Sequence, residues 1–124
     1  MTRAVLLIDH GSRREEANAM LEGVAALVAE VSGGLLVRHA HMELASPTIA
    51  EGVAACVSAG ATEIVAVPYM LSPGRHALED IPRLVREALA AHPEIRARVS
   101  PPLGLHRALA EVVLARVAES EVVK

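Results

Sequence analysis

Four short strand-like segments alternate along this chain with four segments whose apolar residues recur at helical spacing. A continuous apolar run at residues 4–8 predicts a first strand buried on both faces, and residues 35–40, 63–70 and 94–99 predict three more. Strand–helix alternation with short connections implies a parallel sheet with right-handed crossovers and helices on both faces. We therefore expect an α/β three-layer sandwich with a four-stranded parallel sheet.

Turn-forming residues predict where the helices begin. Ser12 is placed to cap the first helix, and Glu15, three residues later, would complete a capping box. Ser46 as N-cap and Pro47 as first helical residue predict the start of the second helix. The last helix is marked by a set of apolar residues at helical spacing, namely Leu105, Leu109, Val112, Val113 and Val117.

Length and composition restrict the classes of function. A chain of 124 residues predicts a single domain over residues 1–124, and a hydrophobic content of 52% argues against disorder. The net charge of −3 and the single aromatic side chain, one Tyr, offer nucleic acid neither a basic surface nor a stacking platform. No segment reaches the ~20 apolar residues that span a bilayer. We expect neither nucleic acid nor a membrane as partner.

Cys56 is the one cysteine of the chain. A single thiol excludes an internal disulfide, and it excludes a multi-cysteine zinc or iron–sulfur site within one chain. We therefore expect no iron–sulfur cluster, and a reducing, cytoplasmic setting fits this composition.

Three side chains that can bind metal, His10, Glu43 and His76, each follow the end of a separate predicted strand. The carboxyl ends of parallel strands meet at one edge of a sheet, which is where open α/β sheets bind ligands. Two imidazoles and a carboxylate at that edge suit a divalent transition metal. The same interval separates His10 from Glu43 and Glu43 from His76, as expected for one ligand in each strand–helix unit.

Other interpretations of these segments are weaker. The His10–Gly11 pair after a strand is also found in histidine phosphatases, but there an Arg precedes the His, and Asp9 would repel phosphate. The side chains of His39 and His41 share one strand parity and could face either a helix layer or solvent. A flavodoxin-like nucleotide binder would need a glycine-rich phosphate fingerprint or stacking aromatics, and the chain has neither.

Four motifs in order carry a family resemblance: LLIDHGSRREEAN in the first unit, MELASPTI in the second, VPYMLSPGRHALEDIP in the third and PPLGLH in the fourth. Together they resemble the short CbiX-type chelatases, which insert cobalt, iron or nickel into sirohydrochlorin-type tetrapyrroles. The resemblance runs nearly end to end. It implies a chelatase-like half domain, of which longer relatives contain two, and a homodimer for short members.

The resemblance also implies functional residues. The metal-binding histidines of the family map onto His10 and His76, and a second-unit carboxylate maps onto Glu43. We expect the chain to insert cobalt or iron, with nickel as a further candidate, into sirohydrochlorin, the metal being a substrate and no organic cofactor being needed. Each of the three residues is either a metal ligand or a catalytic proton acceptor, and the sequence does not divide these roles between them.

The loops that flank the two histidines are placed to bind the substrate. Sirohydrochlorin carries many peripheral carboxylates, and these suit the side chains of Ser12, Arg13, Arg14, Ser72 and Arg75. The segment of residues 71–75 is expected to be a loop, followed by a helix over residues 77–91. The alternative to an enzyme is a non-catalytic carrier of tetrapyrrole or metal, which would bind without accelerating metalation.

Overall fold

Strands and helices alternate along the whole chain in the computed structural model, which describes residues 2–72 and 74–124. The elements, in order, are β1 (Arg3–Asp9), α1 (Glu15–Val31), β2 (Leu36–His41), α2 (Ile49–Ser58), β3 (Glu63–Pro68), α3 (Arg75–Leu89), β4 (Arg96–Val99) and α4 (Arg107–Ala118). Within these residues the strands form one parallel sheet in the order β2-β1-β3-β4. The predicted α/β class and four-stranded parallel sheet are confirmed.

Helices pack on both faces of the sheet. On one face, α2 and α3 bury the side chains of Leu6, Ile8 and Ile64. On the other face, α1 buries Leu7 and Val37. Successive residues of β1 therefore enter opposite layers, as the pleat of a strand requires, and this central strand is nearly continuous in apolar residues because both its faces are covered.

Helix α2 approaches the sheet most closely at Gly52. A Cβ at this position would lie 2.8 Å from Leu6 Cδ1 and 2.9 Å from Ala40 Cβ. Both of these side chains are fully buried, so neither has room to move aside. The absence of a side chain at Gly52 is thus what allows α2 to lie against the end of the sheet that carries Ala40 and His41.

The predicted capping box at Ser12 and Glu15 is wrong. Helix α1 begins at Glu15, its N-cap is Arg14, and no side chain caps it. The Ser12 hydroxyl instead accepts a hydrogen bond from the Arg14 N–H at 3.0 Å. Asn18 holds the Ser12 main chain, because its Oδ1 accepts the Ser12 N–H at 3.0 Å and its Nδ2 donates to the Ser12 carbonyl at 2.7 Å.

The cap of α2 also differs from the predicted one. Thr48, not Ser46, is the N-cap: its hydroxyl accepts the Glu51 N–H at 3.1 Å, and the Glu51 carboxylate accepts the Thr48 N–H at 2.8 Å. This reciprocal capping box satisfies two amides that the helix leaves free. Ser46 and Pro47 precede the helix, and the Ser46 hydroxyl donates to Glu51 at 2.7 Å.

The last two helices have features that bear on function. Helix α3 begins at Arg75, so His76 lies in its first turn and not in a loop. The structure describes every residue of α4, and none of them is buried. The apolar residues that mark α4 therefore form the predicted helix but meet no core among the described residues, because the neighbouring strand β4 is a short, largely exposed edge strand. Among the described residues, no helix is long and apolar enough to cross a membrane.

We expect Gly52→Ala to lower the free energy of unfolding by ~1–3 kcal/mol, because the added methyl overpacks a closed part of the core. The matched control is Gly23→Ala in α1, where a Cβ would meet nothing within 4 Å. That change should raise stability by ~0.5–1 kcal/mol through the better helix propensity of alanine. Urea denaturation of both variants measures the difference, and equal effects at the two sites would contradict the close approach at Gly52.

Candidate metal and substrate site

A cleft of about 480 Å³ opens at the carboxyl edge of the sheet. One of its walls follows β1, another follows β3, and a third comes from the start of α1. The cleft therefore lies between β1 and β3. From β1 the chain continues to β2 on one side of the sheet, and from β3 it continues to β4 on the other side. Open α/β sheets bind ligands at such a switch point. The residues that line the cleft include Asp9, His10, Gly11, Asn18, Tyr69 and Ser72.

A tight turn after β1 presents His10 at the mouth of this cleft. Gly11 has a φ of +89°, and its N–H donates to Asp9 Oδ1 at 3.0 Å, which closes the turn. A Cβ at position 11 would lie 1.8 Å from the Glu43 carbonyl oxygen, so both the conformation and the space require glycine. The turn leaves the His10 side chain exposed to solvent.

Main-chain hydrogen bonds bring Glu43 beside His10. The Met42 N–H donates to the Asp9 carbonyl at 2.8 Å, and the Glu43 N–H donates to the His10 carbonyl at 3.1 Å. The pairing of β1 with β2 therefore continues past the end of both strands. The Glu43 side chain is exposed, as that of His10 is.

His76 lies at the same edge of the sheet, because α3 begins after the carboxyl end of β3. Its side chain is 92% exposed, and its Nε2 lies 3.3 Å from Asp80 Oδ2, one turn along the helix. Neither His76 nor Glu43 lines the cleft that contains His10. Within residues 2–72 and 74–124, no three His, Cys, Asp or Glu side chains are grouped closely enough to hold a metal ion.

The structure thus joins two of the three predicted site residues through their main chains and places the third at the same edge of the sheet. His10 and Glu43 are neighbours, whereas His76 is at the same edge but is turned towards Asp80. The expectation that all three line one cleft is not met in this arrangement. An exposed side chain changes rotamer within nanoseconds, and the Asp80 contact is at the surface, so His76 is not locked in this position.

Two of the five predicted substrate-binding residues line the cleft, and the other three are exposed arginines. Ser12 and Ser72 line it, and Arg13 and Arg14 are exposed just before α1. The Arg75 guanidinium lies 3.1 Å from Glu79 on the surface of α3. A surface ion pair of this kind contributes little to stability, so the guanidinium can exchange Glu79 for another carboxylate. Pro73, in the same predicted loop, lies outside the described residues.

A largely buried contact between Asp9 and His41, behind the His10 turn, is not predicted by the sequence. His41 is 1% exposed, and its Nδ1 lies 2.6 Å from Asp9 Oδ1. The two residues are register partners at the ends of β1 and β2. Their sequence positions, each at the last residue of a strand, are the signal that would have suggested the contact.

His39 packs edge-on against His41, with ring centroids 5.8 Å apart, on the face covered by α1. Of the two orientations left open by the sequence, the histidines therefore adopt the one towards a helix layer. Burial lowers the pKa of His39 below its ordinary value, and the neighbouring charge of His41 acts in the same direction. The carboxylates of Glu22 and Asp9 oppose this shift without reversing it.

A second groove, about 570 Å³ in volume, continues from the cleft along α4. Leu71 and Ser72 line both spaces, so they form the border between them. The far wall consists mainly of apolar residues before and within α4, namely Leu105, Leu109, Ala110 and Val113. The cleft and the groove together form a long trough with His10 at one end.

Comparison with known proteins associates this chain with metal chelatases. The family model named CbiX matches residues 4–120. The chloroplastic sirohydrochlorin ferrochelatase of Arabidopsis thaliana is 42% identical over 113 residues, which are 91% of this chain and 50% of that protein. The sirohydrochlorin cobaltochelatase of Methanococcoides burtonii is 32% identical over 123 residues, which are 93% of this chain and 94% of that protein.

The fold of the chain is also that of a solved chelatase structure. SirB from Bacillus subtilis with Fe3+ superposes with a TM-score of 0.85 and 30% sequence identity, covering 98% of this chain and 48% of the SirB chain. The chain therefore spans about half the length of the Arabidopsis and Bacillus proteins and nearly all of the Methanococcoides protein.

Proposed function

Because the chain belongs to the CbiX family, we propose that it catalyses the insertion of a divalent metal ion into sirohydrochlorin. The observation that carries this proposal is the cleft at the switch point of the sheet, which His10 lines and which an apolar groove along α4 extends. The Glu43 main chain is hydrogen-bonded to that of His10 beside this cleft. The relatives named above are ferrochelatases and cobaltochelatases. We therefore propose cobalt or iron as the metal substrate, with nickel as a further candidate.

The proposed metal-handling residues are His10, Glu43 and His76. Neutral imidazoles and a carboxylate bind these ions with lower affinity than an all-thiolate site would. Lower affinity suits an ion that must be transferred to the tetrapyrrole. Insertion also releases two pyrrole N–H protons, so at least one of the three residues serves as the proton acceptor. His76 joins the other two by turning its exposed side chain away from Asp80 and towards the tetrapyrrole.

The proposal needs no further cofactor. Cys56, the one thiol, is buried in the core, and burial raises its pKa to about 11. A thiol with this pKa is protonated at neutral pH and is a poor metal ligand. The metal is therefore treated as a substrate, with no iron–sulfur cluster and no organic cofactor, and the cytoplasmic setting expected from the single cysteine remains a prediction.

The trough suits a large, flat, mainly apolar ring with charged edges. Its walls along α4 are mainly apolar, while Ser12 and Ser72 line the cleft end. Arg13 and Arg14 are exposed before α1, and Arg75 is exposed at the start of α3. We propose that the macrocycle lies along the trough and that these five side chains bind its peripheral carboxylates. Exposed guanidinium groups suit this role because they form paired hydrogen bonds with carboxylates.

We also propose that the chain acts as a homodimer. Helix α4 has 12 residues and buries none of them, although Val113, Leu114 and Val117 are large and apolar. An isolated helix of ~12 residues is marginal in water, so α4 gains stability from a partner surface. A second copy related by a two-fold axis would supply that surface and would cover the open side of the trough, as a second half domain does in longer chelatases.

The central test is anaerobic metalation of sirohydrochlorin with Co²⁺, Fe²⁺ and Ni²⁺, followed by absorbance. We expect acceleration by the wild-type protein, and losses of ~100-fold or more in His10→Ala and His76→Ala, because each change removes a ligand or a proton acceptor. Glu43→Gln should give a smaller or metal-dependent loss. Thermal unfolding should be unchanged in all three variants, since the three side chains are exposed.

The control for the histidine variants is His92→Ala. His92 follows α3 at the opposite edge of the sheet, so its loss should leave metalation unaffected. Normal rates in both His10→Ala and His76→Ala would contradict the proposed site. Tight tetrapyrrole binding by a wild-type protein that does not accelerate metalation would identify a carrier instead of an enzyme.

Arg75→Ala should raise KM for sirohydrochlorin about 10-fold and leave kcat nearly unchanged. A carboxylate contact made equally in the ground state and the transition state contributes to binding alone. The control is Arg86→Ala, which removes an exposed guanidinium from the last turn of the same helix. Steady-state kinetics at saturating metal measure both constants, and an unchanged KM in Arg75→Ala would show that Arg75 binds no substrate carboxylate.

Sedimentation over a range of protein concentrations tests the homodimer. We expect a dimer for the wild type and a shift to monomer in Val113→Glu, because a charge on the exposed apolar face of α4 opposes burial of that face. Val31→Glu, at the far end of α1, places the same charge on another exposed valine and should leave the dimer intact. A fully active wild-type protein that sediments as a monomer at every concentration would contradict the proposal.

A further inference from the structure

The hydrogen-bonded pair of Asp9 and His41 has no part in the chemistry proposed above, yet it lies directly behind the turn that carries His10. The His41 ring is buried, and the Asp9 carboxylate is mostly buried with a side-chain exposure of 22%. Taking two ionisable side chains out of water is costly unless they are well paired. Because this cost is met next to the candidate site, the pair is a candidate for positioning the site residues.

The Asp9 carboxylate joins two parts of the molecule through a single oxygen atom. Its Oδ1 accepts a hydrogen bond from the Gly11 N–H at 3.0 Å, which closes the turn that carries His10. The same Oδ1 lies 2.6 Å from His41 Nδ1. Because an ionised carboxylate only accepts hydrogen bonds, Nδ1 carries the hydrogen of this contact.

His41 is fixed in place by contacts with the sheet and with the segment that begins α2. Its main-chain N–H donates to the Pro47 carbonyl at 2.8 Å, and it forms an isolated parallel bridge with Thr48, the N-cap of α2. The buried ring therefore has a fixed position. The contacts run without interruption from the start of α2, through His41 and Asp9, to the Gly11 amide next to His10.

We propose that Asp9 and His41 are positioning residues for metal delivery, in that they hold the turn at Gly11 so that His10 faces the cleft. This inference rests on the function proposed above. Groups that orient a metal ligand from behind it commonly change metal affinity or activity by roughly 10–100-fold when they are removed. Loss of either partner frees the turn and leaves the other partner buried without its hydrogen bond.

A matched pair at the other end of β1 separates positioning from simple stabilisation. Arg3 Nε lies 2.6 Å from Glu63 Oε1, the same separation as in the Asp9–His41 pair. Arg3 and Glu63 are also register partners on neighbouring strands, and the Glu63 side chain is buried. This second pair is at the amino edge of the sheet, away from the candidate site. If ion pairs across β1 only stabilise the sheet, changes at the two ends should have the same consequences.

The experiment compares Asp9→Ala, His41→Ala, His41→Asn and Glu63→Gln with the wild type. Each is measured for Co²⁺ affinity from the ligand-field absorbance of the protein without tetrapyrrole, for kcat and KM with sirohydrochlorin, and for thermal unfolding. We expect Asp9→Ala and His41→Ala to weaken Co²⁺ binding and lower kcat by roughly 10–100-fold, with KM for sirohydrochlorin little changed. Glu63→Gln should lower the unfolding temperature and leave Co²⁺ affinity and kcat at wild-type values.

His41→Asn is the rescue variant. The side-chain amide nitrogen of Asn occupies nearly the position of the histidine Nδ1 and donates to the same carboxylate oxygen, so most of the lost Co²⁺ affinity should return. Hydrogen exchange of the Gly11 amide, followed by NMR, should be faster in His41→Ala and close to wild type in His41→Asn. If His41→Ala does not fold, Asp9→Asn takes its place, since it keeps an acceptor oxygen and loses only the charge, and an intermediate loss is expected.

The possible outcomes separate this inference from the proposed function. Wild-type Co²⁺ affinity and Gly11 exchange in the folded Asp9 and His41 variants would overturn the positioning role, whatever the metalation rate. Equal losses in Glu63→Gln would overturn it as well, because the pair would then be one stabilising contact among others. A wild-type protein that binds Co²⁺ without metalating sirohydrochlorin would refute the proposed function, while the Co²⁺ and exchange data would still decide the role of the pair.

Discussion

Strand β1 is paired on both sides, with β2 and with β3, and the position of every candidate functional residue depends on that pairing. Two parallel neighbours bring the residues after three strands to one edge of the sheet. On the β2 side the main-chain hydrogen bonds continue past the strand ends, so Glu43 is fixed beside His10. On the β3 side the Tyr69 N–H donates to the Ile8 carbonyl at 2.7 Å, which sets the other wall of the cleft. The site is thus an extension of the sheet and not a separate loop structure.

Three of the helices pack against the sheet, but α4 leaves its apolar side chains exposed. The sheet and these three helices bury two sets of apolar side chains, one on each face of the sheet. The trough that runs from the cleft along α4 is bounded on one side by this exposed helix. A partner that covered α4 would therefore stabilise the helix and close the trough in one step.

Polar groups near the site fall into two classes with different physical roles. The exposed groups, such as His10, His76 and Arg75, have few fixed contacts and are free to bind a substrate. The buried groups, Asp9 and His41, have their hydrogen bonds satisfied within the protein and so hold the backbone in place. Under the proposed function, mobile side chains on a rigid turn would allow a metal ion to be bound and then released to a macrocycle, which a closed cage of ligands would prevent.

The sequence by itself determined the order of the elements, the parallel sheet and the edge at which His10, Glu43 and His76 lie. These follow from hydrophobic periodicity and from the direction of parallel strands, both of which are local or topological properties. The tertiary structure decided what depends on neighbours far apart in the chain. The contact of Asp9 with His41 required the register of β1 against β2, and the outward face of α4 required that no core lie beneath it. Periodicity identifies an apolar face, but only the packed chain determines whether that face meets its own core or is left for a partner.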